Sequence, residues 1–289
     1  MNRNRIVTSL LFCVFLTFIG LAVNEFFKYG RSTDIYEEAK EQYYEKKELS
    51  VELDGADNTS APQITTDADI AVTTDATVVE DNGSDNEGNN TTVTPIDDGG
   101  VSEEVKQTAA EAGEVIGWVR IPGTGIDYPV VQTTDNEFYL THNYKGDKDV
   151  KGAIYMDFRN DGIGDDRNYI LYGHKMIDGS MFSDLVYYVQ DGSYERYFYN
   201  YNTVKYDDYE EETEWKIFSV YVVDLDKEDY YLYTNYSDDE KYQAFIDRAY
   251  RRSLLDSDIE VTLEDEIMTL VTCSFWYENS RVIIHAVRQ

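Results

Sequence analysis

The sequence predicts a mainly-β domain, a barrel carrying peripheral helices. Short strand-like apolar runs recur through the second part of the chain, and turn residues separate most of them. Composition also changes near Ser102, where an acidic stretch without aromatic residues gives way to a Tyr-rich one. That change marks where the domain begins.

Taken in order, Ser102 to Ala112 reads as a short helix with a serine N-cap. The strand-like runs are Val115 to Ile121, Tyr128 to Val131, Gly152 to Met156 and Tyr169 to Tyr172, then Trp215 to Val223, Ile267 to Thr272 and Val282 to Val287. Gly123-Thr124-Gly125, the stretch Asn160 to Asp166, and Asp191-Gly192 supply turns. Helical patches lie at Asp135 to Leu140, at Ser180 to Val189 and, most clearly, at Asp238 to Leu254, where Tyr242, Phe245, Ile246 and Tyr250 form one face. Upstream, Asp34 and Glu37 have capping-pair spacing and open a charged, Tyr-bearing segment to about Leu49, expected as a solvated helix.

The chain has 289 residues and a formal net charge of -32, from 57 acidic and 25 basic residues. Nucleic acid is excluded as a partner, because a phosphate backbone needs a basic footprint. Residues 6–23 carry no charge and have the length of one bilayer-spanning helix, with Arg3 and Arg5 before them. The run is longer than a signal-peptide core of about 7 to 15 residues, and no clean Ala-x-Ala site follows, so an uncleaved anchor is expected. From Glu48 to Val105 there is no lysine, arginine or aromatic residue. Such a stretch buries too little apolar surface to offset its ordering entropy and reads as a disordered acidic stalk, with a reach on the order of 40 Å. The expected organisation is therefore a cytoplasmic N-terminus at 1–5, a membrane anchor at 6–27, a stalk at 28–104 and a catalytic domain at 105–289. The expected localisation is the cell membrane, single-pass, with the catalytic domain extracellular.

Of the two cysteines, Cys13 lies inside the apolar N-terminal run and Cys273 ends the strand-like run from Ile267. On that arrangement Cys273 has no disulfide partner on its own side. Two readings stay open from composition alone: an inert core thiol, or a reactive one at a strand mouth. Among the three histidines, His174 ends an apolar strand after a glycine, where an imidazole can face a cleft, whereas His142 lies in a polar stretch. His285 shares strand parity with Arg281, about 13 Å along the same face. Arg281 opens the last strand. One Cys and one His make half a zinc site, and no second ligand pair has suitable spacing, so no metal is expected.

Together these positions resemble a known family. Thr269-Leu270-Val271-Thr272-Cys273 followed by Arg281 resembles the sortase Thr-Leu-x-Thr-Cys and arginine motif, and Asn168 to His174 is similar to the strand carrying the sortase histidine. Gly117 to Ile121, Ile126 to Gln132, Asp135 to Leu140 and Gly179 to Leu185 are similar to class B sortases in particular. The gap from His174 to Cys273 also leaves room for the helix that class B carries between two late strands. The resemblance covers about residues 105–289. It departs from the pattern at Val271, where many class B members have serine, and in the length of the acidic stalk.

The resemblance implies a closed β-barrel of about eight strands with an N-terminal helix and a helix before the last two strands. It implies a cysteine transpeptidase of Gram-positive bacteria that needs no cofactor. Cys273 would be the nucleophile, His174 the general acid and base, and Arg281 the stabiliser of the acyl oxygen. Its partners would be a sorting-signal peptide of a surface protein and an accepting amine, from a cell-wall precursor or, in the alternative of a pilin-polymerising sortase, from a pilin. Thr272, Tyr230, Tyr231 and Tyr233 are expected to bind substrate, and Tyr236 joins the tyrosines as a groove contact. Two other classes stay open: a hydrolytic cysteine protease, although the papain-type run is absent, and a non-catalytic surface module.

Overall fold

The computed structural model describes residues 17, 30–48, 115–164, 166–208, 210–228, 230–236, 238–273 and 279–289. A helix, α1, covers residues 30–48. Then come β1 (Val115–Arg120), β2 (Asp127–Val131), β3 (Ile154–Met156), β4 (Asn168–Tyr172), α2 (Tyr194–Asn200), β5 (Thr203–Asp207), β6 (Glu212–Asp224), α3 (Asp239–Arg252), β7 (Ile267–Cys273) and β8 (Ser280–Arg288). The strands close in the order β1-β2-β3-β4-β7-β8-β6-β5, with β5 pairing back onto β1. Pairs β2·β3 and β4·β7 are parallel and the rest antiparallel. The expected closed barrel, with an N-terminal helix and a helix before its last two strands, is the fold this chain adopts.

Side chains alternate across each strand. Met268 and Leu270 of β7 fill the barrel together with Val282, Ile284 and Ala286 of β8. Their neighbours Ile267, Val271, Ile283 and Val287 point outward into a second core, which Tyr242, Phe245, Ile246 and Ala249 of α3 cover. Strands β4, β7 and β8 are thus buried on both faces and read as continuous apolar runs. Helix α3 starts where Asp238 accepts a hydrogen bond from the Glu240 N–H, with Asp239 and Glu240 in its first turn and Arg251 and Arg252 in its last.

Two elements escape sequence reading. Strand β5 exposes part of Thr203, Lys205 and Asp207 while burying only Val204 and Tyr206, so too few apolar residues mark it. Helix α2 has seven residues, of which only Phe198 is buried. The patches at Asp135 to Leu140 and Ser180 to Val189 form 3-10 turns, Phe138–Leu140 and Ser183–Tyr188.

Helix α1 corrects the expectation of a solvated segment within a stalk beginning at residue 28. Ser32, Tyr36, Ala39 and Tyr43 recur at helical spacing and are all buried against the barrel. The Tyr36 hydroxyl donates to the Gly152 carbonyl at 2.5 Å, and the Tyr43 ring stacks on Trp118 at 4.3 Å. Lys40 pairs with Asp127 at 2.8 Å, and Lys47 reaches Asp207 and Glu212. Apolar stacking and paired charge together hold α1 on the body. Residues 49–114, including the helix expected over Ser102 to Ala112, lie outside the described residues.

The localisation is also corrected. Among the described residues no helix is long and apolar enough to cross a membrane. No described helix supplies the single-pass arrangement expected from residues 6–27; of that stretch only Thr17 is described, as helical and exposed.

Two outcomes follow from the docking of α1. Tyr43→Ala is expected to cost about 3 kcal/mol, the scale of truncating a buried aromatic, seen as a lower urea midpoint with red-shifted Trp118 emission. Burial alone would raise the Glu212 carboxyl, but hydrogen bonds from Lys47, Lys205 and Arg120 outweigh it and hold it at about 2, below its ordinary 4.5. A depressed carboxylate contributes stability above its unfolded pKa and loses it as pH falls through the folded one. The urea midpoint should therefore drop between about pH 4.5 and 2, with a shallower drop in Glu212→Gln.

Candidate active site

The strand registers bring the sequence-predicted residues together. In the parallel pair β4·β7, Tyr172 lies opposite Val271. Two residues further on each chain are His174 and Cys273, and the Gly173 N–H extends the ladder by donating to the Val271 carbonyl at 3.2 Å. In the antiparallel pair β7·β8, Cys273 lies opposite Arg281. Since neighbouring strands are about 4.8 Å apart, the three backbones fall in one row about 10 Å wide. The row crosses the exit of β4, the end of β7 and the start of β8.

His174 is half-buried and its ring is held at one nitrogen. Nε2 lies 2.8 Å from the Leu140 carbonyl oxygen. A carbonyl only accepts, so Nε2 carries a proton and Nδ1 is left for exchange. Leu140 closes the turn Phe138–Leu140, which Asp135 fixes by accepting from the N–H groups of Glu137 and Phe138 at 2.7 and 2.8 Å. Gly152 completes this seat. Its φ is +58°, and a Cβ there would run into the Tyr139 carbonyl and come within 2.9 Å of the Leu140 oxygen and 3.1 Å of His174 Cδ2. Only glycine fits this conformation in that space.

Arg281 is half-buried, and its Nη1 donates to the Ser280 carbonyl at 3.1 Å. Among the described residues no carboxylate neutralises it, so its remaining N–H groups are available to a ligand oxygen. A pair between the buried Asp157 and the half-buried Arg159 braces the neighbouring wall. Arg159 binds both oxygens of Asp157, at 2.8 and 2.7 Å, and Tyr172 donates to the same carboxylate at 3.1 Å. Burial alone would raise the Asp157 carboxyl, but Arg159 outweighs it and holds the group below its ordinary range. Arg159 also donates to the Leu232 carbonyl at 3.2 Å, tying this wall to the β6–α3 connection. Nothing in the run Asp157-Phe158-Arg159 marked it in the sequence.

The remaining expected residues are placed unequally. Thr272 has the parity of Met268 and Leu270, which fill the barrel, and its hydroxyl is buried without a hydrogen-bond partner. Tyr230 is half-buried, its hydroxyl bonded to that of Tyr221. Tyr231 is half-buried, and its carbonyl accepts from Arg248 at 3.5 Å. Tyr233 is 44% exposed, set edge-on to Tyr236 at 5.9 Å. Tyr236 is not a groove contact, because it is buried and stacks on Phe245 at 5.0 Å.

Comparison with known proteins agrees with the fold. The model of the sortase domain family matches residues 119–289. Sortase B of Staphylococcus aureus is 34% identical over 175 residues, covering 60% of this chain and 69% of that protein. Sortase B of Listeria monocytogenes is 35% identical over 188 residues, covering 64% and 74%. Among solved structures, Clostridium perfringens sortase B has a TM-score of 0.57 at 30% identity, covering 65% of this chain and all (100%) of that one. A Staphylococcus aureus sortase B–substrate complex has a TM-score of 0.55 at 32% identity, covering 65% and 83%. The chain therefore belongs to the sortase family of cysteine transpeptidases, and within it to class B.

Proposed function

We propose that this class B sortase cleaves a C-terminal sorting signal and transfers the acyl group to an amine of a cell-wall precursor. The observation that carries the reading is the register that aligns His174, Cys273 and Arg281 across three adjacent strands. The Cys273 thiolate attacks the scissile carbonyl of the signal peptide. The S–C bond forms as the C–N bond breaks, and His174 Nδ1 gives its proton to the departing amine. With Nε2 held by Leu140, Nδ1 is the nitrogen free to do this. Arg281 donates to the acyl oxygen while negative charge develops there. The acceptor amine then attacks the thioester, returning a proton to His174 and releasing the thiolate. An amine acceptor, rather than water, separates this reading from a hydrolytic protease.

The catalytic unit consists of the barrel with α1 docked on it, and the exposed Tyr233 and half-buried Tyr231 contribute to the peptide-binding surface.

Cys273→Ala is expected to abolish peptide cleavage and acyl-enzyme formation. Cleavage surviving in that variant would overturn the assignment. Arg281→Ala should lower kcat by about 10² to 10³. Adding triglycine should divert the wild-type product from acid to amide, as read by mass spectrometry. Gly152→Ala tests the histidine seat. Its backbone strain of about 1–3 kcal/mol should lower Tm, shift the His174 ring-proton resonances and reduce kcat.

A further inference from the structure

Behind the proposed groove, five polar side chains form a chain of hydrogen bonds that begins and ends on the same short segment. Asn168 Nδ2 donates to the Tyr233 carbonyl at 2.7 Å, and the Asn168 N–H donates to the Thr234 carbonyl at 3.0 Å. That orientation turns Asn168 Oδ1 towards Thr269, whose hydroxyl donates to it at 2.6 Å. A hydroxyl has one proton, so Thr269 Oγ1 must accept from His285 Nδ1, 2.8 Å away. His285 Nε2 then accepts from the Tyr221 hydroxyl at 2.7 Å, and the Tyr221 oxygen accepts from the Tyr230 hydroxyl. The Tyr233 carbonyl thus dictates the direction of every bond back to Tyr230.

Asn168, Thr269 and His285 are fully buried, and Tyr221 nearly so. The scheme needs a neutral imidazole. Burial, helped by the charge of Arg248, pushes His285 down to about 3, so it is neutral throughout the working range. Arg248 stands over the Tyr230 ring at 5.3 Å, and Arg252, paired with Glu228, at 5.5 Å.

We infer that this chain, with His285 as its hub, is a positioning device that fixes residues 230–234 as a substrate-facing wall, so that peptide affinity depends on four buried side chains, Asn168, Thr269, His285 and Tyr221, that never touch the peptide. The inference rests on the groove reading of the proposed function. Nothing in it involves the Cys273 row, so it predicts an effect on KM and not on thiol chemistry.

The test compares full-length Thr269→Val, which loses the hydroxyl, with Thr269→Ser, which keeps it. Tyr230→Phe serves as a second variant that deletes only the terminal donor. The probe is the best-cleaved peptide from a randomised library. Val and Phe variants should raise KM roughly five- to tenfold, the loss of about one buried hydrogen bond. The rate of Cys273 alkylation by iodoacetamide should stay within about twofold, and Thr269→Ser should behave as wild type. Hydrogen exchange in the peptide spanning 230–236 should accelerate while the barrel strands keep their protection. In ¹⁵N spectra His285 should carry its proton on Nδ1. An unchanged KM, a Ser variant as impaired as Val, equal acceleration across the barrel, or an Nε2–H tautomer each overturns the inference. A wild-type chain that cleaves no peptide defeats the proposed function instead; the exchange data then decide by themselves whether the chain orders the segment.

Discussion

The parallel register of β4 on β7 is the constraint on which the rest depends. Asn168 to Tyr172 runs alongside Ile267 to Val271 without a break. A slip of one residue would turn Ile170 and Tyr172 into the barrel and Tyr169 and Leu171 out of it. It would also carry His174 off the row of Cys273. Tyr169 fills the interior against Trp215, with centroids 5.8 Å apart, while Ile170 and Tyr172 belong to the outer core beneath α3. Two-sided burial therefore penalises every alternative pairing. The backbone alignment of His174, Cys273 and Arg281 is a consequence of core packing here.

What the sequence showed, and what it hid, divides along the same line. Elements buried on both faces were legible as apolar runs: β4, β7 and β8 were expected nearly to their ends. Helix α3 was legible by its single apolar face, expected between Asp238 and Leu254 and found at Asp239–Arg252. The row of Cys273, His174 and Arg281 was legible because each residue sits at a strand end beside a motif. The docking of α1 was not. Tyr36, Ala39 and Tyr43 share a helical face, but the surface they cover is Trp118 and Gly152, far along the chain. Nor was the role of His285 visible. Its parity with Arg281 could be counted, whereas its partner Thr269 lies opposite only once β7 and β8 are in register.

Charge shapes the docking of α1. With a net charge of -32, carboxylates that cluster without cations repel one another. Asp127, Asp207 and Glu212 line the surface under α1, where Lys40, Lys47, Arg120 and Lys205 meet them. Each such pair, partly exposed, is worth little by itself. As a network over a stacked Tyr43–Trp118 pair it does more, because the rings exclude water beside the ions. Lys151 extends the contact. It is almost fully buried, and its Nζ donates to Thr33 of α1 at 2.8 Å and pairs at 2.8 Å with Asp178, in the loop that follows His174. Helix α1 thereby touches the loops on either side of the histidine, Gly152 through Tyr36 and Asp178 through Lys151.

The buried polar chain beneath residues 230–234 runs against the apolar logic of the surrounding core. An apolar residue at Thr269 or His285 would pack there without the desolvation that a hydroxyl and an imidazole incur. Half-satisfied, such a network is worse than hydrocarbon, because each orphaned donor or acceptor costs about 1–3 kcal/mol. Here the described partners satisfy it from the Tyr230 hydroxyl to the Tyr233 carbonyl, and the bonds must all run one way. Apolar packing is non-directional and tolerates sliding. A one-way chain ending on a main-chain carbonyl does not, since moving Tyr233 by one residue would leave Asn168 without its acceptor. The polar chain therefore supplies what the apolar core under α3 lacks, a fixed registry for the segment lying over it.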